Sequence, residues 1–271
     1  MAARIALDAM GGDHAPGAIV RGALQALTDH DDLTVVLVGR EDVVHEEIRR
    51  DGALPAGVSL DRVEVVHAPE VIGMEETPTE ALRQKKHSSL MVMAKLASAG
   101  EVDAIISAGN TGACAAAAQL RMRPLKCISR PGIAVTLPTF HGPVVLCDVG
   151  ANIQAKPHHL YEYAVMATIY AEQVVGIDAP RVGLVSIGEE RRKGTEVIKQ
   201  THELLAGDSR INFVGNVEGS ELFQNRCEVA VSDGFVGNIL LKFIEGLSEA
   251  LFKTISAEVR DEEPAARERF E

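Results

Sequence analysis

Five predicted strands end in short segments that combine small residues with polar residues able to do chemistry. The five strands are Arg4–Asp8, Val102–Ile106, Pro143–Asp148, Arg181–Ser186 and Glu228–Ser232. Ligands of open α/β sheets bind beyond the carboxyl ends of the strands, so we expect the segments that follow to line one crevice. The candidate site residues in these segments are Gly11, Gly12, Asp13, His14, Ser107, Gly109, Asn110, Thr111, Gly112, Asp148, Asn152, Lys156, Lys193, Asp233, Gly234 and Asn238.

The chemistry that these segments favour is the binding of an anion. Glycines let the backbone approach a ligand closely, and helices that begin after such loops present unpaired N–H groups and a partial positive charge. Asn110 and Thr111 add side-chain donors, and Lys156, Arg192 and Lys193 can supply full positive charge. This set would stabilise a phosphate group or a developing oxyanion.

Structural interpretations of the same residues remain open from the sequence. Asp8 and Asp148 could cap an adjacent turn or helix, His14 could be a solvated loop residue, and Arg191–Lys193 could be a charged surface run. The sequence disfavours a nucleotide site, because the first loop lacks GxGxxG spacing and the chain has no GxxxxGK[ST] segment.

The composition narrows the class of protein. The 271 residues are 46% apolar, which suffices for a core, and carry a net charge of −12. Binding to nucleic acid depends on neutralising phosphates, so such an acidic chain is a poor candidate for it. No apolar run approaches the ~18 residues of a membrane span, and we expect a cytoplasmic protein.

The four cysteines do not predict a site. Cys114, Cys127, Cys147 and Cys227 contain no CxxC spacing, which disfavours zinc, and no metal site is expected. Cys147 lies within a predicted strand and Cys114 in an alanine-rich helix, so we expect inert, reduced thiols.

The elements that position the site alternate between strands and helices, which is typical of βαβ units. Two strands, Gly132–Leu137 and Pro143–Asp148, are joined by a short turn and predict an antiparallel hairpin. The expected fold is therefore a three-layer αβα domain with a mainly parallel sheet and an inserted hairpin. We expect a single domain over residues 1–271, frayed at Arg260–Glu271. The helices for which bounds are predicted are Pro16–Leu27, Glu41–Arg50, Thr77–Ala97, Pro157–Val175, Thr195–Leu205 and about Phe235–Val259.

The segments of the crevice also carry a specific resemblance. They resemble, in order and spacing from about Arg4 to Phe252, the bacterial phosphate acyltransferase (PlsX) family of phospholipid synthesis. The matching segments are IALDAMGGDHAP (Ile5–Pro16), RQKKHSS (Arg83–Ser89), SAGNTGA (Ser107–Ala113), RPGIAVTLPT (Arg130–Thr139), DVGAN (Asp148–Asn152), GEERRKG (Gly188–Gly194) and SDGFVGN (Ser232–Asn238).

The resemblance implies an activity and a set of partners. The activity is acyl transfer from an acyl-carrier-protein thioester to inorganic phosphate, without a cofactor, and the fold resembles that of isopropylmalate dehydrogenase and phosphotransacetylase. It also implies a homodimer that associates loosely with the inner face of the membrane. Lys193 and Asn238 match the family residues thought to act in the site.

Phosphate is a nucleophile near neutral pH, which agrees with a site that has no evident Ser–His or Cys–His arrangement. Our hypothesis is that Lys193 and backbone N–H groups hold phosphate, while Asn238 donates to the thioester oxygen. Asp13 or His14 would position phosphate or exchange a proton.

Docking of an acidic carrier protein on an acidic chain requires a local basic patch. Two sets of basic residues are candidates, and ordinary solvated charge remains the alternative for both. The first set is Arg83, Lys85 and Lys86, and the second is Arg121, Arg123, Lys126 and Arg130.

An apolar stripe on the last helix has two interpretations. We expect it to pack against the core or a second subunit, and the alternative is contact with the membrane or the acyl chain. The stripe consists of Leu240, Phe243, Ile244, Leu247, Leu251, Ile255 and Val259.

The chain departs from the family at its C-terminus. Family members continue with an amphipathic segment and a unit that contains a His-Gly motif, whereas this chain ends at Asp261–Glu271. We therefore expect a C-terminally shortened member. Two alternatives stay open: a phosphotransacetylase-like enzyme that uses acyl-CoA, and an inactive homologue that only binds carrier protein or membrane.

Overall fold

The computed structural model describes residues 3–50 and 58–260. The chain divides into two compact units, residues 1–126 and 127–271, and each is described by itself. The expectation of a single domain concerns the relation between the units and stays a prediction. The predicted fraying of the tail falls almost wholly on residues 261–271, which lie outside the described residues.

The first unit contains a four-stranded parallel sheet in the order β3-β2-β1-β4. Its strands are β1 (Ala3–Asp8), β2 (Leu33–Gly39), β3 (Val63–His67) and β4 (Ala104–Ile106). Its helices are α1 (Gly17–Asp29), α2 (Glu41–Arg50), α3 (Pro78–Gln84), α4 (Ser89–Ala99) and α5 (Thr111–Arg121).

Strand β2 shows why helices cover both faces of this sheet. Its residues alternate between two buried clusters: Val36 and Val38 pack with α3, α4 and α5, and Val35 and Leu37 pack with α1 and α2. All four side chains are at most 1% exposed. A continuous apolar run of this kind is typical of a parallel strand buried on both faces.

The helix predicted over Thr77–Ala97 is two helices, because a distant residue interrupts it. Glu70 accepts hydrogen bonds from the backbone N–H of His87, through Oε2 at 2.7 Å, and of Ser89, through its carbonyl oxygen at 3.3 Å. These bonds hold residues 85–88 in a turn between α3 and α4. The prediction of one helix was wrong, since its pattern gave no sign of this contact.

The second unit contains a five-stranded mixed sheet in the order β5-β6-β9-β7-β8. Its strands are β5 (Ala134–Leu137), β6 (Val144–Cys147), β7 (Val182–Val185), β8 (Phe213–Val217) and β9 (Val229–Val231). Its helices are α6 (Pro157–Tyr170), which a wider turn over Ala171–Val175 extends, α7 (Glu196–Ala206) and α8 (Gly234–Arg260). Strands β5 and β6 pair antiparallel and the other pairs are parallel, which confirms the hairpin.

Helices also cover both faces of the second sheet. Val145 and Cys147 of β6 pack with α6 and α7, whereas Val144 and Leu146 belong to a cluster that includes the first turns of α8. Each unit therefore has three layers, and the expected αβα fold with a mainly parallel sheet and an inserted hairpin is confirmed. The strands are distributed over two sheets.

The apolar stripe of α8 divides along the helix. Leu240 and Ile244 pack against the sheet, whereas four other members are exposed: Phe243, Leu247, Leu251 and Ile255. The side chain of Val259 lies outside the described residues. Within residues 3–50 and 58–260, no helix is long and apolar enough to cross a membrane.

Candidate active site

The two predicted segments of the first unit meet because β1 and β4 are neighbouring parallel strands. Asp8 ends β1, and its Oδ2 accepts a hydrogen bond from Ser107 Oγ at 2.8 Å. Ser107 Oγ in turn accepts from the backbone N–H of Gly109 at 3.0 Å. Asp8 is 3% exposed, and its carboxylate ties the two loops together. Its Oδ1 also accepts from the backbone N–H of Met10 at 3.1 Å, which caps the adjacent turn, the structural role that the sequence left open.

Two glycines allow the loop after β1 to lie against the loop after β4. A Cβ atom placed on Gly11 would be 2.9 Å from the backbone nitrogen of Gly109 and would collide with Asp8 Oδ2. Gly12 has a φ of 101°, which favours glycine. The next two residues, Asp13 and His14, are exposed, so their side chains are accessible to a ligand.

The side-chain oxygen and nitrogen of Asn110 both form hydrogen bonds with backbone groups. It caps α5 by accepting from the backbone N–H of Ala113 at 3.0 Å. Its Nδ2 lies within hydrogen-bond distance of three carbonyl oxygens between residues 73 and 76, the shortest contact being 2.9 Å to Glu76. Thr111 and Gly112, at the start of α5, are exposed. We infer that Asn110 positions this loop and that Thr111 is the more accessible donor.

Three predicted segments meet at one edge of the second sheet. Strands β6, β9 and β7 are consecutive and parallel there, so their carboxyl ends share an edge. The segments that follow them are 148–156, 232–238 and 188–194. This edge gathers most of the predicted site residues of the second unit: Asp148, Asn152, Lys156, Lys193, Asp233, Gly234 and Asn238. The expectation that all five segments of the chain line one crevice stays a prediction.

Asp148 organises the first of these segments. Its side chain is fully buried, and Oδ1 accepts from the backbone N–H groups of Ile133, Gly150 and Ala151 at 2.9–3.1 Å. Oδ2 accepts from the N–H of Asn152 at 2.7 Å. Four backbone donors balance the buried charge, so Asp148 shapes the loop, and its predicted contact with substrate stays a prediction.

The end of the same segment is held by a buried histidine. Nδ1 of His159 accepts from the backbone N–H of Lys156 at 3.0 Å and lies 3.2 Å from Asn152 Nδ2. Burial is the main cause that lowers the pKa of His159. Burial likewise raises the pKa of Tyr163, the other neighbour of Asn152, to about 12. These neutral rings fix Asn152, while the Lys156 side chain is exposed.

Lys193 projects from a tight turn after β7. Its backbone N–H donates to the carbonyl oxygen of Glu190 at 2.8 Å, and Gly194 follows with a φ of 90°. The Lys193 side chain is exposed and passes over Gly188, where an added Cβ atom would be 3.2 Å from its Cγ. The turn therefore presents an accessible ammonium group at the edge of the sheet.

The turn after β9 starts α8 and packs on the Asp148 loop. Asp233 Oδ1 accepts from the N–H groups of Phe235 and Val236, both at 2.9 Å, and so caps the helix. A Cβ atom on Gly234 would be 2.8 Å from Asp148 Oδ2. Asn238 is exposed, and its side chain lies about 4 Å from the position of a Cβ atom on Gly150. The Asn238 amide therefore lies directly beside the glycine of the neighbouring loop.

Asn216 and Ser186 are candidates that the sequence analysis missed. Asn216, in β8, is 1% exposed and donates from Nδ2 to the carbonyl oxygen of Glu190 at 3.1 Å. Ser186 lies at the end of β7, and its Oγ is buried without a hydrogen-bond partner among the described residues. The signal for Asn216 was present, since a lone amide interrupts the apolar segment FVGNV.

The basic residues proposed for docking differ in availability. Arg83 and Lys86 are exposed, but Lys85 pairs with Glu76 and donates to the carbonyl oxygen of Val71 at 2.7 Å. All of the second set are exposed: Arg121, Arg123, Lys126 and Arg130. A further basic depression of about 490 Å³ is lined by Arg191, Arg192, Lys199 and Glu203.

Two of the four cysteines are placed as expected for inert thiols, whereas Cys127 is exposed and Cys114 is partly buried. Cys147 and Cys227 are buried, and burial raises their pKa values to about 12 and about 11. Among residues 3–50 and 58–260, no group of three or more histidine, cysteine or acidic side chains lies close enough to hold a metal ion.

Solved structures support the fold. A EutD phosphotransacetylase from Staphylococcus aureus aligns with a TM-score of 0.63 at 17% identity, covering 91% of this chain and 82% of that chain. A branched-chain phosphotransacylase from Enterococcus faecalis V583 aligns with a TM-score of 0.56 at 14% identity, covering 90% and 84%.

Sequence comparison identifies the family. The family model described as "Fatty acid synthesis protein" matches residues 3–266. A phosphate acyltransferase from Pelotomaculum thermopropionicum is 48% identical over 94% of this chain and 72% of its own length. A phosphate acyltransferase from Bacillus subtilis (strain 168) is 44% identical over 92% of this chain and 73% of its own length. The chain thus belongs to the fatty acid synthesis protein family, and its relatives include these phosphate acyltransferases.

Proposed function

We propose that this protein transfers a fatty acyl group from an acyl-carrier-protein thioester to inorganic phosphate and releases acyl phosphate for phospholipid synthesis. Membership of a family that contains phosphate acyltransferases supports the reaction class. The observation that carries the proposal for this chain is the edge of the second sheet. There, three neighbouring parallel strands deliver an exposed lysine, an exposed asparagine and a glycine-containing loop.

The reaction needs little from the enzyme besides position and charge. A phosphate oxygen attacks the thioester carbonyl carbon, a C–O bond forms, and the carbonyl oxygen becomes an oxyanion. The oxyanion then collapses, the C–S bond breaks, and the carrier thiolate leaves with the electron pair and takes a proton. Holding the two reactants together and stabilising the oxyanion are therefore the main tasks.

The described geometry suggests how these tasks are divided. Lys193, whose ammonium is exposed on its turn, holds phosphate, and Asn238, exposed on the first turns of α8, donates to the thioester oxygen. A role for Asp13 or His14, both exposed in the first unit, in positioning phosphate or exchanging a proton remains an expectation from the sequence. Asp148 and Asn110 act as positioning residues, because their polar atoms are taken up by the backbone.

The partners follow from the proposed reaction. The acyl carrier protein supplies the donor and docks through exposed basic residues, since the chain itself has a net charge of −12. We further propose a cytoplasmic homodimer that contacts the membrane peripherally and needs no cofactor. The exposed apolar residues of α8 support a surface for such contacts.

A comparison of donors tests the function. The full chain is incubated with palmitoyl thioesters of acyl carrier protein or of coenzyme A, with and without inorganic phosphate, and acyl phosphate is measured. We expect formation that requires phosphate and that prefers the carrier-protein donor. Equal or better use of acyl-CoA would replace the proposal with a phosphotransacetylase-like activity. Absence of product with both donors would indicate a protein that only binds.

A further inference from the structure

The second unit contains a small cavity beside the proposed catalytic residues. It has a volume of about 240 Å³ and lies between the ends of β7 and β9 and the starts of α7 and α8. Its lining includes Gly194, which follows Lys193 directly, and Val236, two residues before Asn238. The cavity therefore adjoins the two turns that carry the proposed catalytic groups.

The walls of this cavity are mainly apolar. Val185, Ile187, Ile198, Val236 and Leu240 contribute hydrocarbon surface. Ile187 is 81% exposed and Val236 is 37% exposed, so the cavity opens to solvent through apolar residues. At about 30 Å³ per water-sized group, the volume accommodates about eight such groups, and a methylene is of similar size.

One polar atom in the lining has no partner. Ser186 Oγ is fully covered and has no hydrogen-bond partner among the described residues. Buried polar groups in native proteins nearly always have a partner, so this unpaired hydroxyl on a lining residue is the available donor for a bound water or a ligand atom. The occupant that fits best therefore combines an apolar body with a hydrogen-bonding atom.

Gly194 keeps this space open. A Cβ atom there would lie 2.9 Å from Ser186 Oγ and 2.9 Å from Ile198 Cγ2. Its φ of 90° also favours glycine. The same glycine thus permits the turn of Lys193 and leaves the space above Ser186 unfilled.

We propose that this cavity binds the carbonyl end of the acyl group, with about the first eight carbons against its apolar walls and Ser186 Oγ donating to the carbonyl oxygen. The inference rests on the proposed function, because that function supplies a thioester beside Lys193 and Asn238. A fatty acyl thioester has the required combination, namely an acceptor oxygen joined directly to a hydrocarbon chain.

Binding measurements without phosphate test the cavity independently of turnover. The probes are S-acyl pantetheines with chains of two to ten carbons, titrated calorimetrically against the full chain. We expect affinity to rise about fourfold per methylene and to level off near eight carbons. Val236→Phe should narrow the cavity. It should lower the affinity for the octanoyl probe at least tenfold and leave the affinity for the acetyl probe unchanged.

Val174→Phe provides the matched control, since Val174 is 66% exposed and does not line the cavity. Its chain-length profile should equal that of the wild type. An unchanged profile for a folded Val236→Phe variant, or equal weakening of acetyl and octanoyl probes, would overturn the proposal.

Ser186→Ala tests the polar contact and places no steric demand on the fold. It should lower the affinity for octanoyl-pantetheine about twofold to tenfold, which corresponds to the loss of one hydrogen bond. The affinity for the thioether S-octyl-pantetheine should be unchanged. Equal effects on the two probes would overturn the assignment of Ser186. Normal chain-length selectivity in a protein that forms no acyl phosphate would support the cavity and refute only the proposed function.

Discussion

The side-chain amide of Asn216 donates a hydrogen bond to the carbonyl oxygen of Glu190 over 3.1 Å. The same oxygen accepts the backbone N–H of Lys193 at 2.8 Å and so closes the turn that presents this lysine. Asn216 belongs to β8, which pairs with β7 along the sheet. The position of the proposed phosphate-binding lysine therefore depends on a buried amide from an adjacent strand.

Replacing this amide should impair phosphate use. Asn216→Asp keeps the size of the side chain but replaces the donor with an acceptor that faces the Glu190 oxygen. We expect catalytic efficiency toward phosphate to fall about tenfold, as expected for the loss of about 1 kcal/mol or more at a buried contact. Steady-state kinetics with phosphate varied and carrier thioester saturating measures this effect.

Asn212→Asp is the matched control for that experiment. Asn212 also donates to a backbone carbonyl, that of Ala179 at 3.2 Å, but it is exposed and precedes β8. Its variant should keep the wild-type phosphate kinetics. If the two variants behave alike, Asn216 has no special relation to Lys193.

Charge reversal should separate docking from chemistry. Arg121→Glu combined with Lys126→Glu, or Arg83→Glu combined with Lys86→Glu, places acidic groups on exposed sites of a candidate set. The pair that lies on the docking surface should raise the KM for the acyl carrier protein about tenfold at low ionic strength, because an acidic partner is repelled. Short soluble thioesters should be unaffected, and the other pair serves as the control. Unchanged KM values in both double variants would refute docking at either set.

Thiol reagents should detect one reactive class of cysteine in the native protein. Cys127 is exposed, whereas Cys147 and Cys227 are buried and their pKa values are raised to about 12 and about 11. At pH 8 iodoacetamide should modify Cys127 rapidly and modify the two buried thiols only after unfolding. Cys127→Ser should abolish the rapid phase and keep full activity. Rapid modification of Cys147 in the native state would contradict the described burial.

The free energy of unfolding should decrease below about neutral pH because of His159. Burial lowers its folded-state pKa below the ordinary 6.5, so between these two values the unfolded chain binds a proton that the folded chain does not. The contribution of His159 to the free energy of unfolding is therefore fully present above pH 6.5 and declines as the pH falls toward the folded pKa. The free energy of unfolding, measured with denaturant at pH 5 to 7.5, should depend less steeply on pH for His159→Asn than for the wild type. Part of the slope should persist, since burial also lowers the pKa of His202. Identical slopes would exclude a contribution from His159.

Local signals in the sequence were sufficient for several elements. The structure has α2 at Glu41–Arg50, as predicted, and the hairpin of β5 and β6 was indicated by two short strands around a turn. The glycine-rich segments also marked where the loops after the strands begin. Such features depend on residues close together in the chain, which is why a pattern indicates them.

Features that depend on distant residues were not accessible in this way. The division of one predicted helix into α3 and α4 depends on Glu70, and the insertion of β9 between β6 and β7 depends on strand pairing across the chain. The sequence suggested a cap as one role of Asp148 but could not show that four backbone donors surround it. Sequence patterns thus indicated the residues of the candidate site. The structure was needed to show which of them are exposed to a ligand and which hold the loops in place.

The most direct test of the central claim is phosphate-dependent formation of acyl phosphate from an acyl-carrier-protein thioester, compared between the wild type and Lys193→Ala. The product can be trapped with hydroxylamine as the hydroxamate, and Lys95→Ala, an exposed lysine on α4, is the matched control. We predict phosphate-dependent product for the wild type and the control, and a rate reduced about a hundredfold or more for a folded Lys193→Ala variant. A Lys193→Ala variant that forms acyl phosphate at the wild-type rate would contradict the account.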